Sequence, residues 1–267
     1  MKIKGITPVV VPLQECRVRE EGIYQDAGLR KDTQIEFVSI PEGPSYLQFY
    51  GENLISEYNV YREGIKAENE GYSAVQPDCI FDPALKPLKE ALNIPVVGPL
   101  ECAVHIASLL GRKFSILVND GSMVKFIEER IREYGFEKKL ASVRVSGVTF
   151  EELGFSTKKD NESIKKKLLI AGKKAIEEDN ADVIILACTS MFGFKELFMQ
   201  EYGVPTLEPG VIAAKMGEML VDLGLKQSKK AFPAFNHKIF PDKTEDISQK
   251  ENSVAGTSCA FLGPKKG

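Results

Sequence analysis

Tryptophan is absent from this 267-residue chain, histidine occurs only as His105 and His237, and the five cysteines are widely spaced. No two cysteines form a Cys-x-x-Cys pair, so a zinc site built from cysteine and histidine ligands is not expected. A glycine-rich phosphate loop is lacking as well. We therefore predict no metal and no organic cofactor, and the free thiols become the groups best able to carry chemistry.

Long apolar runs and a strong net charge are also missing. No apolar stretch approaches the roughly 20 residues that cross a bilayer, and no apolar segment precedes Pro8, so a secretory signal is not expected. The 35 basic and 38 acidic side chains leave a net charge of −3, which gives no general attraction to nucleic acid or to an anionic membrane. We expect a cytoplasmic protein with reduced thiols and a small-molecule partner.

Apolar segments alternate with amphipathic ones along most of the chain, whose length suits one large α/β domain or two smaller lobes. Short strands that alternate with helices favour βαβ units and a parallel sheet. The predicted strands are 3–8, 35–40, 73–75, 96–97, 114–118, 141–145, 183–187 and 206–207. The predicted helices are 52–70, 85–92, 101–110, 124–134, 162–179, 192–202 and 211–223.

Two stretches of the sequence can be superposed on one another. In each, a helix is followed by a short strand and then by a cysteine, Cys79 in the first stretch and Cys188 in the second. A helix comes next, then a short strand with a proline at its start (Pro95 or Pro205), a turn of glycine and proline, and a further helix. A repeat of this length indicates two similar lobes related by an approximate two-fold axis.

The repeat predicts where the two cysteines lie. Ligands of open α/β sheets bind beyond the carboxyl ends of the strands, which is where both cysteines occur. We expect Cys79 and Cys188 on opposite sides of one pocket, in the cleft between two pseudo-symmetric, Rossmann-like lobes with parallel sheets. Residues 1–97 and 208–230 are assigned to the first lobe, 98–207 to the second, and 231–267 to a C-terminal tail or arm.

Two opposed thiols suit the inversion of a carbon stereocentre. A thiolate removes a proton from one face, a thiol delivers a proton to the other, and the roles exchange in the reverse direction. A helix N-terminus lowers the pKa of a cysteine, so a cysteine between strand and helix can ionise close to neutral pH. Isolated cysteines are more often small buried side chains, and this is the interpretation for Cys16, Cys102 and Cys259.

At these residues the sequence resembles the hydantoin racemase branch of the aspartate/glutamate racemase superfamily. The resemblance extends over about residues 1–228 and depends on the order and spacing of several motifs. The motifs are Cys79-Ile80-Phe81-Asp82-Pro83-Ala84-Leu85, for which the branch has Cys-Phe-Gly-Asp-Pro-Gly-Leu, then Pro95-Val96-Val97-Gly98, Leu110-Gly111-Arg112-Lys113-Phe114-Ser115 and Ala187-Cys188-Thr189-Ser190-Met191.

The resemblance implies two α/β lobes, assembly into homo-oligomers, and one cysteine from each lobe as acid and base. Two places depart from the branch. Thr7-Pro8-Val9-Val10 stands where the branch has Asn-Pro-Asn-Thr, and Phe81 stands where it has glycine, and both changes bear on the substrate. Besides the two cysteines, the residues expected to contact the substrate are Thr7, Pro8, Ile80, Phe81, Asp82, Thr189, Ser190 and Glu208.

We therefore predict a cofactor-independent racemase that acts on an acidic C–H next to a carbonyl, in a hydantoin, an amino acid or a related compound. The first alternative is a maleate-isomerase-like or arylmalonate-decarboxylase-like enzyme of the same fold. The decarboxylases of this type use only the second cysteine, so the presence of Cys79 argues against them. The second alternative is a two-lobed module that binds a small molecule without turning it over.

The periodicity disappears after residue 230. A polar stretch at 242–252 has the composition of a disordered segment, and apolar residues flank it on both sides. This pattern indicates either an arm laid over a neighbouring subunit or the mouth of the cleft, or a solvated tail.

Overall fold

Two parallel β-sheets organise the chain, which we analysed as a computed structural model that describes residues 1–153 and 162–234. The strands are β1 (Lys2–Thr7), β2 (Gln34–Ser39), β3 (Ala74–Pro77), β4 (Phe114–Val118), β5 (Leu140–Val145), β6 (Val183–Leu186) and β7 (Thr206–Leu207). The helices are α1 (Leu13–Ala27), α2 (Tyr50–Asn69), α3 (Leu85–Ala91), α4 (Pro99–Leu110), α5 (Met123–Glu133), α6 (Phe150–Leu153), α7 (Glu162–Glu177), α8 (Leu197–Tyr202) and α9 (Pro209–Asp222).

Each sheet belongs to one α/β lobe. The first has the strand order β2-β1-β3 and the second the order β5-β4-β6-β7, and the neighbours in both run parallel. Every residue of β3, β4 and β6 is buried, as expected for strands covered on both faces. The predicted fold class, two α/β lobes with parallel sheets, is confirmed.

The internal repeat is visible in the backbone hydrogen bonds. Three bonds recur at matching places in the two lobes, with N···O distances of 2.7–3.0 Å. In the first lobe the N–H groups of Ser73, Asp78 and Val75 donate to the carbonyls of Lys2, Ile6 and Pro95, respectively. In the second lobe the equivalent donors are Asp182, Ala187 and Ile184, and the acceptors are Lys113, Leu117 and Pro205. The carboxyl ends of β3 and β6 therefore occupy equivalent positions in the two lobes.

Three elements differ from the sequence-based prediction, besides the short helix α6, which was not predicted. The predicted strand at 96–97 is reduced to a single bridge between Val75 and Val96. Of the predicted helix 192–202, only α8 forms, because turns occupy the residues before Leu197. Helix α1 was not predicted at all.

Helix α1 escaped prediction because its buried stripe is not apolar throughout. The buried residues are Cys16, Arg19, Gly22 and Ile23, so one is charged and one has no side chain. The helix ends at Gly28, which has a left-handed backbone with φ of 55°. Helix α1 packs on β2 and on α9, which in turn contacts β3 and α4.

Most of the predicted C-terminal arm lies outside the described residues, which end at residue 234. Just before that point, Lys229 donates hydrogen bonds to the carbonyls of Lys89, Glu90 and Leu92 at the end of α3. Lys89 Nζ also lies 5.4 Å from the centre of the Phe232 ring. The lobe boundaries assigned from the sequence stay a prediction.

Gly22 provides a test of how closely α1 packs against the second half of the chain. A Cβ atom at this position would lie 2.1 Å from Cε2 of Phe192, whose ring is buried. Gly22→Ala is expected to lower the free energy of unfolding by about 1–3 kcal/mol through overpacking. The matched control is Gly51→Ala in α2, where no atom lies within 4 Å of the added Cβ and no loss is expected. Chemical denaturation checks both, and equal stabilities of the two variants would contradict this packing.

Candidate active site

A cavity opens at the carboxyl ends of β1, β3 and β6. Its volume is about 640 Å³ with the open solvent at its mouth included. The lining residues are Thr7, Pro8, Val9, Arg19, Ser45, Tyr46, Leu47, Asp78, Cys79, Ile80, Phe81, Met123, Leu153, Ala187, Cys188, Thr189 and Ser190. This is the crevice in which parallel α/β sheets generally bind ligands.

The structure brings Cys79 and Cys188 into this one cavity. Cys79 follows β3 after one intervening residue, and Cys188 follows β6 in the same way. Both are free thiols that keep part of their surface exposed, whereas Cys16 and Cys102 are free and buried. The equivalent ends of β3 and β6 thus carry the two thiols to the same space.

Neither cysteine lies at the helix start that was expected to lower its pKa. The N–H of Asp82 donates to the carbonyl of Cys79 at 3.1 Å, which closes a turn, and α3 begins only at Leu85. A second turn is closed by the N–H of Met191 and the carbonyl of Cys188 at 2.9 Å, well before α8. Neither thiol lies at the N-terminus of a helix, so the helix dipole does not act on it directly.

The pKa values of both cysteines are raised, contrary to the expectation from the sequence. Burial raises the pKa of Cys79 to about 12, opposed by a hydrogen bond from the N–H of Phe81. Burial also raises the pKa of Cys188, opposed first by the charge of Arg19 and then by hydrogen bonds from the N–H and hydroxyl of Ser190. The physical reason is that removing a thiolate from water costs more than these local donors return.

Arg19 joins the two cysteine turns, and sequence analysis missed it together with α1. Its Nη1 donates to Asp78 Oδ2 at 2.5 Å and to Thr189 Oγ1 at 3.0 Å. Its Nη2 donates to Ser190 Oγ at 2.6 Å. Asp78 also accepts a hydrogen bond from Gln76 Nε2 at 2.8 Å. Thr189 and Ser190, both predicted as site residues, line the cavity through this network.

The predicted residues Thr7, Pro8, Ile80 and Phe81 also line the cavity. Thr7 is fully buried, and its hydroxyl has no hydrogen-bond partner among the described residues. The carbonyl of Pro8 accepts a hydrogen bond from Ser56 in α2 at 2.6 Å, which anchors the loop after β1. Thr7 thus combines a place in the lining with a buried hydroxyl that has no bond to the described part of the protein.

The structure places the predicted residues Asp82 and Glu208 outside the lining. Asp82 accepts hydrogen bonds from the N–H groups of Leu100 and Glu101 at the start of α4 and from the hydroxyl of Tyr134. Burial raises the pKa of Asp82 to about 7, while these hydrogen bonds oppose the shift. Its bonds thus hold the Cys79 turn onto α4.

Glu208 lies at the start of α9, where its carboxylate accepts a hydrogen bond from the N–H of Phe194. Burial raises the pKa of Glu208 to about 7, and the Phe194 hydrogen bond opposes this. Its other carboxylate oxygen has no partner among the described residues. The contacts that the structure does show connect Glu208 to the loop after Cys188.

One wall of the cavity is apolar and came from residues that the motifs did not indicate. Leu47 and the ring of Tyr46 belong to the loop between β2 and α2, and Met123 and Leu153 come from α5 and α6. The Phe81 ring completes this wall and packs on the ring of Phe126, with centroids 4.2 Å apart. These residues approach one another only through the tertiary fold, so no sequence spacing announces them.

Residues 1–153 and 162–234 contain no group of three or more His, Cys, Asp and Glu side chains placed to hold a metal ion. No helix in this part of the chain has the length and apolar character to cross a membrane.

Comparisons with known proteins agree with the motifs. The family model described as Asp/Glu/Hydantoin racemase matches residues 23–217. A hydantoin racemase from Pseudomonas sp. (strain NS671) is 33% identical over 255 residues, which cover 94% of this chain and 96% of that protein.

Two solved structures have the same fold. An allantoin racemase from Klebsiella pneumoniae gives a TM-score of 0.79 at 23% identity and covers 88% of this chain and 94% of its own. An allantoin racemase from Pseudomonas fluorescens gives a TM-score of 0.77 at 27% identity, and the match covers 88% of this chain and 97% of that protein. The resemblance seen in the sequence is confirmed, and the chain belongs to the Asp/Glu/Hydantoin racemase family.

Proposed function

We propose that the protein is a cofactor-independent racemase of hydantoin-type compounds in which Cys79 and Cys188 are the acid and base on opposite faces of one carbon. The observation that carries this proposal is that both thiols line one cavity, at equivalent ends of β3 and β6. Inversion needs proton donors and acceptors on two faces, and a two-lobed cleft supplies one from each side.

The charges of the cavity favour a neutral ring over a free amino acid. Arg19 is the only cation among the lining residues that the structure describes, and its guanidinium is paired with Asp78. The carboxylate of an amino acid would therefore enter a partly desolvated space without an unpaired cation to receive it. A hydantoin carries carbonyl and N–H groups without a net charge. The similarity to the hydantoin racemase from Pseudomonas sp. supports the same choice.

Racemisation requires that one proton leaves the ring carbon and that another proton is added to its opposite face. A thiolate on one face takes the proton from the ring carbon next to the carbonyl, and the electron pair moves into that carbonyl as an enolate. The thiol on the other face returns a proton to the carbon, so the substrate is inverted and the two sulfurs have exchanged states. We infer that the buried hydroxyl of Thr7, which has no partner among the described residues, donates a hydrogen bond to the enolate oxygen.

The apolar wall supplies the site for the substituent on the inverted carbon. Tyr46, Leu47, Phe81, Met123 and Leu153 present aromatic and aliphatic surface there. Phe81 takes the place of a small residue in the resembling branch, and its ring is fixed by Phe126. We infer that an alkyl or aryl substituent is preferred over a polar one, because its burial against these largely apolar side chains is favourable.

Replacement of each catalytic thiol separates a two-base mechanism from the alternatives. Cys79→Ser and Cys188→Ser should each lose racemisation by about 10²–10⁴-fold, since general acid–base catalysis by one group has that magnitude. Each variant should still exchange the ring proton of one enantiomer with deuterated solvent, and the two variants should prefer opposite enantiomers. Polarimetry and proton NMR measure the two reactions.

The matched control is Cys102→Ala, which removes a buried thiol that does not line the cavity and should keep full activity. Full racemase activity in a folded Cys79→Ser variant would contradict the two-base mechanism. Activity in Cys79→Ser together with none in Cys188→Ser would favour a one-cysteine reaction of the decarboxylase type. Ligand binding without any proton exchange in the unmodified protein would favour a binding module.

The raised pKa values predict an alkaline reactivity profile for the free enzyme. A thiol whose pKa is raised stays protonated to higher pH, so its reactive thiolate appears only as the pH approaches the shifted value. Alkylation of Cys188 by iodoacetamide should increase about tenfold per pH unit between pH 7 and 9, with Cys79 reacting more slowly. Peptide mass spectrometry gives the rate at each site. A plateau of the Cys188 rate below pH 8 would contradict the raised pKa.

The apolar wall predicts the order of substrates. The value of kcat/KM for 5-benzylhydantoin should exceed that for allantoin by about tenfold or more, since full burial of an apolar side chain contributes about 1.5–3 kcal/mol. Met123→Gln, which keeps the volume of a wall residue but adds an amide, should reduce the value for 5-benzylhydantoin more than that for allantoin. Faster turnover of allantoin by the unmodified enzyme would refute the assignment of this wall.

A further inference from the structure

We propose that Arg19 is a positioning residue that makes Cys188, rather than Cys79, the first of the two thiols to ionise, acting through Ser190. The inference rests on the proposed two-thiol function and adds to it an unequal division of the proton between the sulfurs. It follows from the charge of Arg19 and the hydroxyl of Ser190 near Cys188, whereas Cys79 receives a hydrogen bond from the N–H of Phe81 and is opposed by the charge of Asp82.

The guanidinium of Arg19 is confined by its surroundings. Arg19 is 7% exposed and Asp78 1% exposed, so the ion pair between them is shielded from water. Thr189 Oγ1 accepts from Arg19 and donates to the carbonyl of Asp78 at 3.1 Å, which ties the loop after β6 to the turn after β3. A guanidinium held in this way has a fixed direction toward the Cys188 loop.

The hydrogen bonds at Ser190 run from Arg19 toward Cys188. Nη2 of Arg19 donates to Ser190 Oγ at 2.6 Å, so the guanidinium fills an acceptor position of the hydroxyl. A serine hydroxyl has a single proton, and this one is left for Cys188, whose thiolate is stabilised by the Ser190 hydroxyl and N–H. The chain Arg19 to Ser190 to Cys188 therefore donates toward sulfur at each step, and successive bonds strengthen one another.

The two sulfurs differ in the charged groups that act on them. Arg19 favours the thiolate of Cys188, while Asp78 opposes it. The charged groups that act most strongly on Cys79 are Cys188, Asp78 and Asp82, and all three oppose its thiolate. On α1, Glu15 lies near Arg19, and burial raises the pKa of this carboxyl to about 7, with the Arg19 charge opposing the shift. A single negative charge shared by the two sulfurs thus falls on Cys188.

Asp78 makes the proposal testable through opposite signs. Arg19 attracts the negative charge on Cys188 and Asp78 repels it, although the two side chains form one ion pair. Loss of Arg19 should make Cys188 harder to ionise, and loss of the Asp78 charge should make it easier. Loss of packing or of folding would change both variants in the same sense.

The experiment titrates Cys188 in a Cys79→Ser background, in which one thiol lines the cavity. Thiolate absorbance in the far ultraviolet and the rate of iodoacetamide alkylation are followed against pH. Arg19→Gln should shift the Cys188 titration upward by about 1–3 pH units, as expected for the loss of a neighbouring opposite charge. Ser190→Ala should shift it upward by a smaller amount, and Asp78→Asn should shift it downward.

The control is Arg17→Gln, which removes an exposed arginine from the same helix and should leave the titration unchanged. Upward shifts in both Arg19→Gln and Asp78→Asn, or no shift in Arg19→Gln and Ser190→Ala, would overturn the proposal. Circular dichroism reports whether each variant folds. If Arg19→Gln does not fold, the proposal is overturned when the Cys188 titration is unchanged in both Ser190→Ala and Asp78→Asn.

The titration needs no substrate, so it separates this inference from the proposed reaction. Absence of racemisation in the unmodified enzyme with shifts of the expected signs would refute the reaction and leave the role of Arg19 toward Cys188 intact. Racemisation by the unmodified enzyme, together with unshifted Cys188 titrations in the variants, would support the proposed reaction and refute the role of Arg19.

Discussion

The buried ion pair between Arg19 and Asp78 is the interaction on which the geometry of the site depends. It joins α1 to the turn after β3, and through Thr189 and Ser190 it extends to the turn after β6. Removal of one partner from a buried pair leaves an uncompensated charge and typically costs about 3–5 kcal/mol. The relative positions of the two cysteine turns are therefore held by a contact that has no low-energy substitute.

The surroundings of this pair are built to keep it satisfied. Gln76 donates to the free oxygen of Asp78 and also to the carbonyl of Gly210 at 3.2 Å, which brings the first turn of α9 against the site. A Cβ at Gly210 would lie 3.2 Å from Asp78 Oδ1, so a residue without a side chain gives the carboxylate its room. Three separate segments thus meet at one carboxylate, and this explains why polar residues lie so deep in the fold.

The repeat made the fold and the thiols predictable, because a cysteine at a fixed offset from two equivalent strands must recur at two equivalent strand ends. The ionisation of those thiols was not predictable from the same pattern. It depends on how deeply each sulfur is buried and on the groups that act on it. Sequence periodicity located the start of α3 at residue 85, but it carries no information on the burial of the thiol that precedes this helix.

Arg19 and the apolar wall escaped prediction for a different reason. From sequence alone an arginine is expected at the surface unless a buried partner is known. The partner of Arg19, Asp78, lies 59 positions away along the chain. The wall joins residues of the β2–α2 loop, α5 and α6, which meet only after both sheets have formed. Both features arise from long-range packing, which local patterns of hydrophobicity do not encode.

The unequal surroundings of the two sulfurs have a kinetic consequence on the proposed mechanism. Enantiomers have equal free energies in water, so kcat/KM must be the same for both, whatever the protein does. Each inversion nevertheless leaves the enzyme in the opposite protonic form, and the form with the thiolate away from Arg19 is the less populated one. The enzyme must then relax by proton exchange with solvent before it accepts a second molecule of the same hand. The side chain of Arg19 thus sets a difference in kcat, matched by an equal difference in KM, between two substrates that are mirror images.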